Sequence, residues 1–528
     1  MRAETSDVLI ARRGEGGYAQ YRIPALAVTT AGTVLAAYDG RPNLDDLPSP
    51  IDLLLRRSTD GGLTWGPQQV VRTGTGLQGF GDPSLLVDGD TGRILLFHAA
   101  GTLAGFFEAV EGVEPEDAVQ HVDLSISDDD GLTFTHRRLT AQLKRPGVTG
   151  VFAASGTGVH ITHGPFAGRL VQPMVLLERG RITAAAAYSD DHGETWILGV
   201  AVGGDTNESA IAVLPDGSLL LHSRGTPTRL AARSHDGGAS WSAPEPIEGL
   251  PDPSDNGSLI ALPPGAAAEA AGAASTLLVS SNLDPQLRRH TGLSLSRDGG
   301  ATWPHQLIVC DGSSGYSCAA MLPDGDIGLL YEREGYSEIV FTRVTAAEIA
   351  ASGPVDPVSA GIAPPEQPLL EVILRSITPG LPAEWVPVGE YHVYPVDTAG
   401  VDASAWKEVG QAYAAAGGMI LGTREAQLRN YGPPRPGLRA GEILAFHVRV
   451  RMPRGQAAGG VTLEHPGGTA GPFDIAAGGS AVFGAPYPTL TVSDADVAAG
   501  QVVARFAVPA LGLSAEPRYA TATGRALP

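Results

Sequence analysis

An eight-residue pattern returns five times between residues 58 and 303, and it constrains the fold more than any other feature of the chain. It first reads Ser58-Thr-Asp60-Gly-Gly62-Leu-Thr64-Trp65. The later copies carry Ser127, Asp129, Gly131, Thr133 and Phe134; Ser189, Asp191, Gly193, Thr195 and Trp196; Ser234, Asp236, Gly238, Ser240 and Trp241; and Ser296, Asp298, Gly300, Thr302 and Trp303. Each copy has the chemistry of a hairpin turn. The Asp side chain accepts turn amides and Gly supplies positive φ. The Thr and the aromatic residue then open a strand, with the aromatic packed beneath the loop. These copies are scaffold and need not touch any ligand.

Apolar strands joined by turns precede each copy, as in Ile211–Leu214, Pro215-Asp-Gly217 and Ser218–His222, or Ala319–Leu322, Pro323-Asp-Gly325 and Asp326–Tyr331. A third strand runs into the copy (Asp52–Arg56, Ser294–Ser296) and a fourth follows the aromatic residue. Four strands per repeat is the build of a propeller blade. Blades are expected to begin near Arg22, Asp82, Phe152, Glu208, Asn256 and Tyr316, which makes six. The sixth lacks the repeated turn and leaves through Ile339–Val344, and Asp7–Arg12 reads as a strand able to complete it.

Past residue 345 the character changes. Thr345-Ala-Ala-Glu348 is a capping-box signal for a short helix ending near Gly353, and residues 353–368 read as a Pro/Gly/Ala linker. Phe446–Arg451, Thr489–Val492 and Val502–Val508 alternate as half-buried strands, and Asp402–Ala416 reads as a helix. The stretch from Val492 to Val503 resembles bacterial immunoglobulin-like sandwich domains. The expected fold is all-β: a six-bladed β-propeller over 1–352, the linker, and a β-sandwich accessory domain over 369–528.

The 528 residues carry a net charge of −21 with no basic block, which argues against a nucleic-acid partner. No apolar run has membrane-spanning length, so no membrane insertion is expected. Met1–Arg13 lacks the hydrophobic core of a signal peptide, so the expected location is either cytoplasmic or secreted after removal of a signal. Cys310 and Cys318 offer neither a disulfide framework nor zinc-ligand spacing and are read as ordinary thiols. No cofactor or metal is called for, and a monomer is compatible with the sequence.

In a propeller, the start of each first strand and the loop after each second strand face the same end of the ring. This register selects Arg22, Asp82, Glu208 and Tyr316 from strand starts. It selects Asp46, Arg224, Arg288 or Arg289, and Glu332 from second-strand ends. Three arginines at one point imply an anionic ligand, a carboxylate held by bidentate contacts. Glu332 is placed to hold Arg22. Tyr316, in Gly312-Ser-Ser-Gly-Tyr-Ser317, has small neighbours that leave a phenol accessible, and Glu208 is a base to take its proton. Asp46 is a candidate proton donor to a leaving group, with the adjacent Asp45 as its alternative.

Tyr21-Arg-Ile-Pro24, the five repeated turns and the late Gly-Tyr-Ser together resemble the bacterial sialidases with a tyrosine nucleophile, over roughly residues 7–345. The resemblance implies retaining hydrolysis of terminal sialic acids from glycans, glycoproteins or glycolipids through a tyrosyl intermediate. It assigns Arg22, Arg224 and Arg288 (or Arg289) to the sugar carboxylate, Tyr316 to attack at the anomeric carbon and Glu208 to the phenol proton. Asp46 would protonate the leaving oxygen and then activate water, and Glu332 would position Arg22. Asp82 would meet the N-acyl amide, Arg41 would add positive charge beside the pocket, and Phe152 would be a wall of the N-acyl pocket. The rival readings are a glycan-binding propeller without catalysis and a hydrolase for a related acidic sugar such as Kdn.

Overall fold

The computed structural model describes residues 7–520 apart from 43–45, 77, 226, 264–275, 286–287, 334–335, 337, 356–366, 378–439, 442, 454, 484–487 and 517. The chain divides into two compact units, with the main boundary after residue 358.

The first unit is a ring of sheets whose blade strands pair antiparallel in chain order, with the short strand Gly156–Thr157 added parallel to the first strand of blade 2. Blade 1 comprises Gln20–Val28, Val34–Arg41, Asp52–Ser58 and Gln69–Arg72. Blade 2 repeats this with Gly79–Val87, Ile94–Gly101, His121–Ser127 and Thr135–Arg138. Blade 3 opens with Val148–Ala153, slightly earlier than the expected start near Phe152, and blade 4 with Ser209–Val213. Blades 5 and 6 share the strand His305–Met321, outermost in one and innermost in the next, so that they merge into a seven-stranded sheet. The ring closes as the sequence predicts. Val8–Arg12 pairs antiparallel with Glu338–Val344, Leu9 opposite Val340, and the N-terminal strand completes the last blade.

The apolar cores lie between blades. Ala25, Leu53 and Leu55 meet Leu85 and Leu96 between blades 1 and 2. Similar clusters of buried residues fill the 2–3, 3–4, 4–5 and 5–6 junctions. Ile10, Phe341 and Leu330 meet Leu26, Ala36 and Tyr38 where the ring closes. This is why the central strands, such as Val34–Arg41, are buried along their whole length: both faces are covered by neighbours.

All five repeated turns adopt one hydrogen-bond pattern. In the first, Ser58 Oγ donates to Asp60 Oδ1 at 2.7 Å and accepts Gly62 N–H at 2.8 Å, while Asp60 accepts the Thr64 amide at 2.9 Å. The copies at Asp129, Asp191, Asp236 and Asp298 repeat it. The bond from the Thr hydroxyl, followed by that from its amide, pulls the carboxyls of Asp60 and Asp129 down to about 2. Their contribution to the fold is present above the unfolded carboxyl value near 4 and fades as pH falls toward 2. The aromatic residue does more than underlie its own loop. Trp65 of blade 1 meets Phe341 of blade 6, ring centroids 5.2 Å apart, and Trp196 of blade 3 meets Phe97 of blade 2 at 4.9 Å. Each box thus anchors its blade to the preceding one. Blade 6 has no box, and the 5–6 junction instead receives Ala346 and Ile349 from the helix Ala346–Ala350, whose capping box of Thr345 and Glu348 forms as expected.

In the second unit, Leu369–Ile377, Ile443–Arg451, Ser480–Phe483 and Thr489–Thr491 form one sheet. Ala458–His465, Gly468–Ile475, Phe506–Val508 and Leu513–Ala515 form another. Phe446 and Phe506 meet between them, ring centroids 5.1 Å apart, as in a sandwich. The expected strand Val502–Val508 is split into Gln501–Val503 and Phe506–Val508. A helix, Asp494–Ala499, capped by Ser493, precedes it. The expected helix at Asp402–Ala416 lies outside the described residues.

Two glycines separate backbone strain from crowding. Gly62 (φ 89°) and Gly76 (φ 65°) are both left-handed, but a Cβ on Gly62 would sit 2.1 Å from the Phe341 ring while one on Gly76 meets nothing within 4 Å. Gly76→Ala is expected to cost about 1–2 kcal/mol. Gly62→Ala adds a further overpacking cost of about 1–3 kcal/mol. Denaturant unfolding of both variants should rank them in that order, and equal losses would contradict the docking of the box on its neighbour.

Candidate active site

First strands break their pairing at the face where the candidates converge. Register slips between Arg22 and Ala25, between Gly81 and Ser84, and between Ser314 and Ser317. Ile23 (φ 62°) and Asp82 (φ 59°) are left-handed and each is followed by proline, which has no N–H to leave unpaired. A β-branched residue in this region is strained, and a buried carboxylate meets each exposed amide. Ile23 N donates to Glu332 at 2.7 Å, and Asp82 N donates to Asp39 at 3.2 Å.

Glu332, fully buried, takes Arg22 through Nε at 3.1 Å and Nη2 at 3.3 Å, and accepts the Tyr316 amide at 2.9 Å. The guanidinium groups of Arg22 and Arg288 each lie over the Tyr316 ring at 5.1 Å from its centroid. Arg224 and Glu208 both hydrogen-bond the Tyr316 hydroxyl and pair with each other. The three arginines, the phenol and its carboxylate partner therefore occupy one site. Arg288 is the arginine that enters it; Arg289 turns away to Asp284 at 2.7 Å. Asp45 lies outside the described residues.

Tyr316 is only 7% exposed. Burial holds its phenol well above the usual tyrosine value, opposed by Arg224 and reinforced by Glu208. It is a neutral phenol at rest, and it requires a proton acceptor before it can act as a nucleophile. The preceding glycine serves a purpose other than access to the phenol: a Cβ on Gly315 would lie 2.3 Å from Glu332 and 2.4 Å from the Tyr336 ring.

A second cluster faces this one from blades 1 and 2. Arg41 binds Asp39 at 2.7 Å and Asp46 at 2.9 Å, with Asp82 at 4.0 Å. The guanidinium expected to add positive charge beside the pocket is thus paired with two carboxylates. Asp46 is 47% exposed at the side chain and open to a ligand. Burial, followed by the neighbouring Asp39, holds the Asp82 carboxyl well above its usual range; Asp39 itself is raised to about 6 by burial, against the pull of Arg41. Burial thus favours the protonated, donor form of the Asp82 carboxyl. Phe152, half-buried, stacks edge-on against Phe106 with centroids 5.1 Å apart, so the candidate wall is a pair.

Sequence reasoning missed Phe106, Asp39, Tyr336 and Asp255. Asp255 is buried 3.6 Å from Arg288 Nε, and burial lifts its carboxyl to about 8. Phe106 and Tyr336 sit in loops after second strands, of blades 2 and 6, where no motif singles them out, and Asp255 lies in the connection just before the first strand of blade 5. Asp39 lies within a second strand, two residues before Arg41, and that proximity was an available signal.

Among the described residues, Asp88, Asp90 and His160 bring ligand atoms close enough for a metal ion, a grouping hidden in the linear sequence. His160 Nδ1 already accepts the Gly89 amide at 2.9 Å, and Asp88 accepts from the Asp90 amide and the Thr91 hydroxyl. These bonds build the hairpin between the first two strands of blade 2, at the opposite end of the ring from Tyr316. No described helix is long and apolar enough to cross a membrane.

Residues 32–329 match the family described as BNR repeat-like domain. The chain is 44% identical over 333 residues to a sialidase of Micromonospora viridifaciens, covering 61% of this chain and 51% of that one. It is 32% identical over 357 residues to a sialidase of Bacteroides fragilis, covering 64% of each. It thus spans about half to two thirds of the length of these relatives. Among solved structures, Hadza microbial sialidase Hz136 superposes with a TM-score of 0.58 at 30% identity, covering 64% of this chain and 68% of that one. The intramolecular trans-sialidase of Ruminococcus gnavus shares the fold, with a TM-score of 0.57 at 21% identity over 67% of this chain and 99% of that one. The expected kinship with bacterial sialidases is met.

Glu332→Gln tests the arrangement directly. It removes the charge opposite Arg22 and turns an amide toward donors, which is expected to cost about 3–5 kcal/mol, the usual loss on breaking a buried pair. Equilibrium unfolding reads this, and a loss below about 1 kcal/mol would show that the carboxylate is not the anchor.

Proposed function

Because the chain belongs to the BNR repeat-like domain family, we propose that it is an exo-sialidase, a retaining glycoside hydrolase that releases terminal α-linked sialic acids from glycans, glycoproteins or glycolipids. The observation that carries this reading is a buried phenol, bonded to a carboxylate, beneath three converging arginines.

Arg22, Arg224 and Arg288 take the sugar carboxylate. That group sits on the anomeric carbon, so gripping it places the reacting centre above Tyr316. A carboxylate nucleophile would be repelled there, whereas a neutral phenol is not. Glu208 accepts the phenol proton as the oxygen attacks, the aryl ether to the anomeric carbon forms, and the glycosidic C–O bond breaks. Asp46 gives its proton to the departing oxygen. It then takes one from water, which attacks the anomeric carbon as the aryl ether C–O bond breaks, and Glu208 returns a proton to the released phenolate. Asp82 meets the N-acyl side of the sugar, and Phe152 with Phe106 forms an apolar wall for the acyl methyl. Arg41 holds Asp46 and Asp39, and Glu332 positions Arg22. In this reading residues 1–352 carry the activity, 353–368 connect, and 369–528 are accessory.

Tyr316→Phe keeps the ring and removes the nucleophilic oxygen. Turnover of 3′-sialyllactose should fall by about three orders of magnitude or more, an effect of about 4 kcal/mol, with near-normal turnover removing Tyr316 from the role. Asp46→Ala should slow sialyllactose by about 10²–10⁴-fold but a 4-methylumbelliferyl sialoside far less, because that leaving group needs little protonation. Equal losses on the two substrates would argue against Asp46 as the acid.

A further inference from the structure

Three guanidinium groups in one site repel one another, and each must be held where the ligand needs it. Arg22 is held by Glu332, and Arg224 by Glu208. Arg288 is held differently. Its Nη1 donates to the Tyr336 hydroxyl at 3.0 Å and its Nη2 to the Ser254 carbonyl at 2.7 Å, while Asp255 approaches Nε only to 3.6 Å. The ring of the same Tyr336 lies against Arg22, 4.1 Å from guanidinium carbon to centroid. One side chain therefore contacts two members of the arginine cluster, one through its oxygen and one through its π face.

The surroundings fix that side chain. Tyr336 is 1% exposed and left-handed (φ 63°), a conformation disfavoured for a tyrosine. Its carbonyl accepts Gln20 Nε2 at 2.5 Å, and Gln20 stands two residues before Arg22. Gly315 leaves the gap that its ring fills. A tyrosine that only packed would need neither the strained backbone nor a hydroxyl aimed at a cation.

We propose that Tyr336 is a positioning residue that sets the separation of Arg22 and Arg288 and so the width of the carboxylate grip; this rests on reading the arginine cluster as a carboxylate site. The ligand carboxylate is present in ground state and transition state alike. Loosening the grip should therefore weaken binding and raise KM while leaving kcat nearly unchanged.

The test is a double-mutant cycle read by calorimetry with 2-deoxy-2,3-didehydro-N-acetylneuraminic acid, a carboxylate ligand that needs no turnover. Tyr336→Phe should weaken binding about tenfold, the worth of one hydrogen bond to a charged group. In an Arg288→Met background the same change should weaken it less than twofold, since the partner is already gone. With sialyllactose, Y336F should raise KM by a similar factor with kcat within about twofold. Wild-type affinity in Y336F, or a full tenfold loss on top of Arg288→Met, would overturn the proposal. If Y336F fails to fold, Gln20→Ala releases the Tyr336 carbonyl while sparing the phenol; it should weaken the ligand several-fold, and unchanged affinity would overturn the proposal equally. A wild-type protein that binds this ligand without cleaving sialosides would refute the hydrolase reading and leave the cycle decisive for Tyr336. One that fails to bind it would refute both.

Discussion

The carboxylate of Glu332 joins the scaffold to the chemistry. It sits on blade 6 and receives Arg22 and the Ile23 amide from blade 1 and the Tyr316 amide from its own blade. Those two blades are the ones that meet where the ring closes, with Val8–Arg12 as the completing strand. Ring closure and the placement of the candidate nucleophile are thus one event at one side chain. The strained backbone of Ile23 is tolerable because its amide has a buried acceptor, and that acceptor is affordable in the core because it is paired with Arg22.

Charge balance within the site follows from burial. Arg22, Arg41, Arg224 and Arg288 face Glu208, Glu332, Asp39, Asp46, Asp82 and Asp255. Six carboxylates around four guanidiniums would repel an anionic ligand if all were charged, and the chain as a whole already carries −21. Burial opposes that charge. Asp82 is held well above the usual carboxyl range and Asp255 lies at about 8, each chiefly through burial. Both shifts lower the negative charge that the four guanidiniums face. Because the folded value of Asp255 lies above its unfolded one, ionising it costs the fold stability as pH rises from about 4 through about 8. That cost is the counterpart of keeping a neutral carboxyl beside Arg288.

The sequence made the blades, the closing strand and most of the convergent residues legible because each depends on local pattern. A turn signature repeats with its own hydrogen bonds, and strand starts share one end of a propeller. What depends on the register between blades was not legible. Trp65 and Trp196 anchor neighbouring blades, which no single repeat reveals. Arg288 and Arg289 are adjacent, and only the start of the strand at Arg289 with its partner Asp284 separates them. Arg41 was assigned as positive charge beside the pocket, without its pairing to Asp39 two residues before it. Tyr336 and Asp255 reach the site from connections that carry no motif.

Among the described residues, five of the eight left-handed residues other than glycine lie next to these arginines in sequence or space. Ile23 follows Arg22, Ser254 offers its carbonyl to Arg288, His290 stands two residues beyond Arg288, Tyr336 touches both Arg22 and Arg288, and Asp82 faces Arg41. Each is a backbone conformation that costs stability and persists only where its surroundings over-determine it. Regular strands would point successive side chains to opposite faces at fixed spacing, and no regular spacing brings three cations from blades 1, 4 and 5 to one point. The kinks break that spacing at the ends of the strands, while the interblade cores keep the rest of each sheet regular. The ring supplies the stability, and the site spends part of it on holding like charges closer than they would settle by themselves.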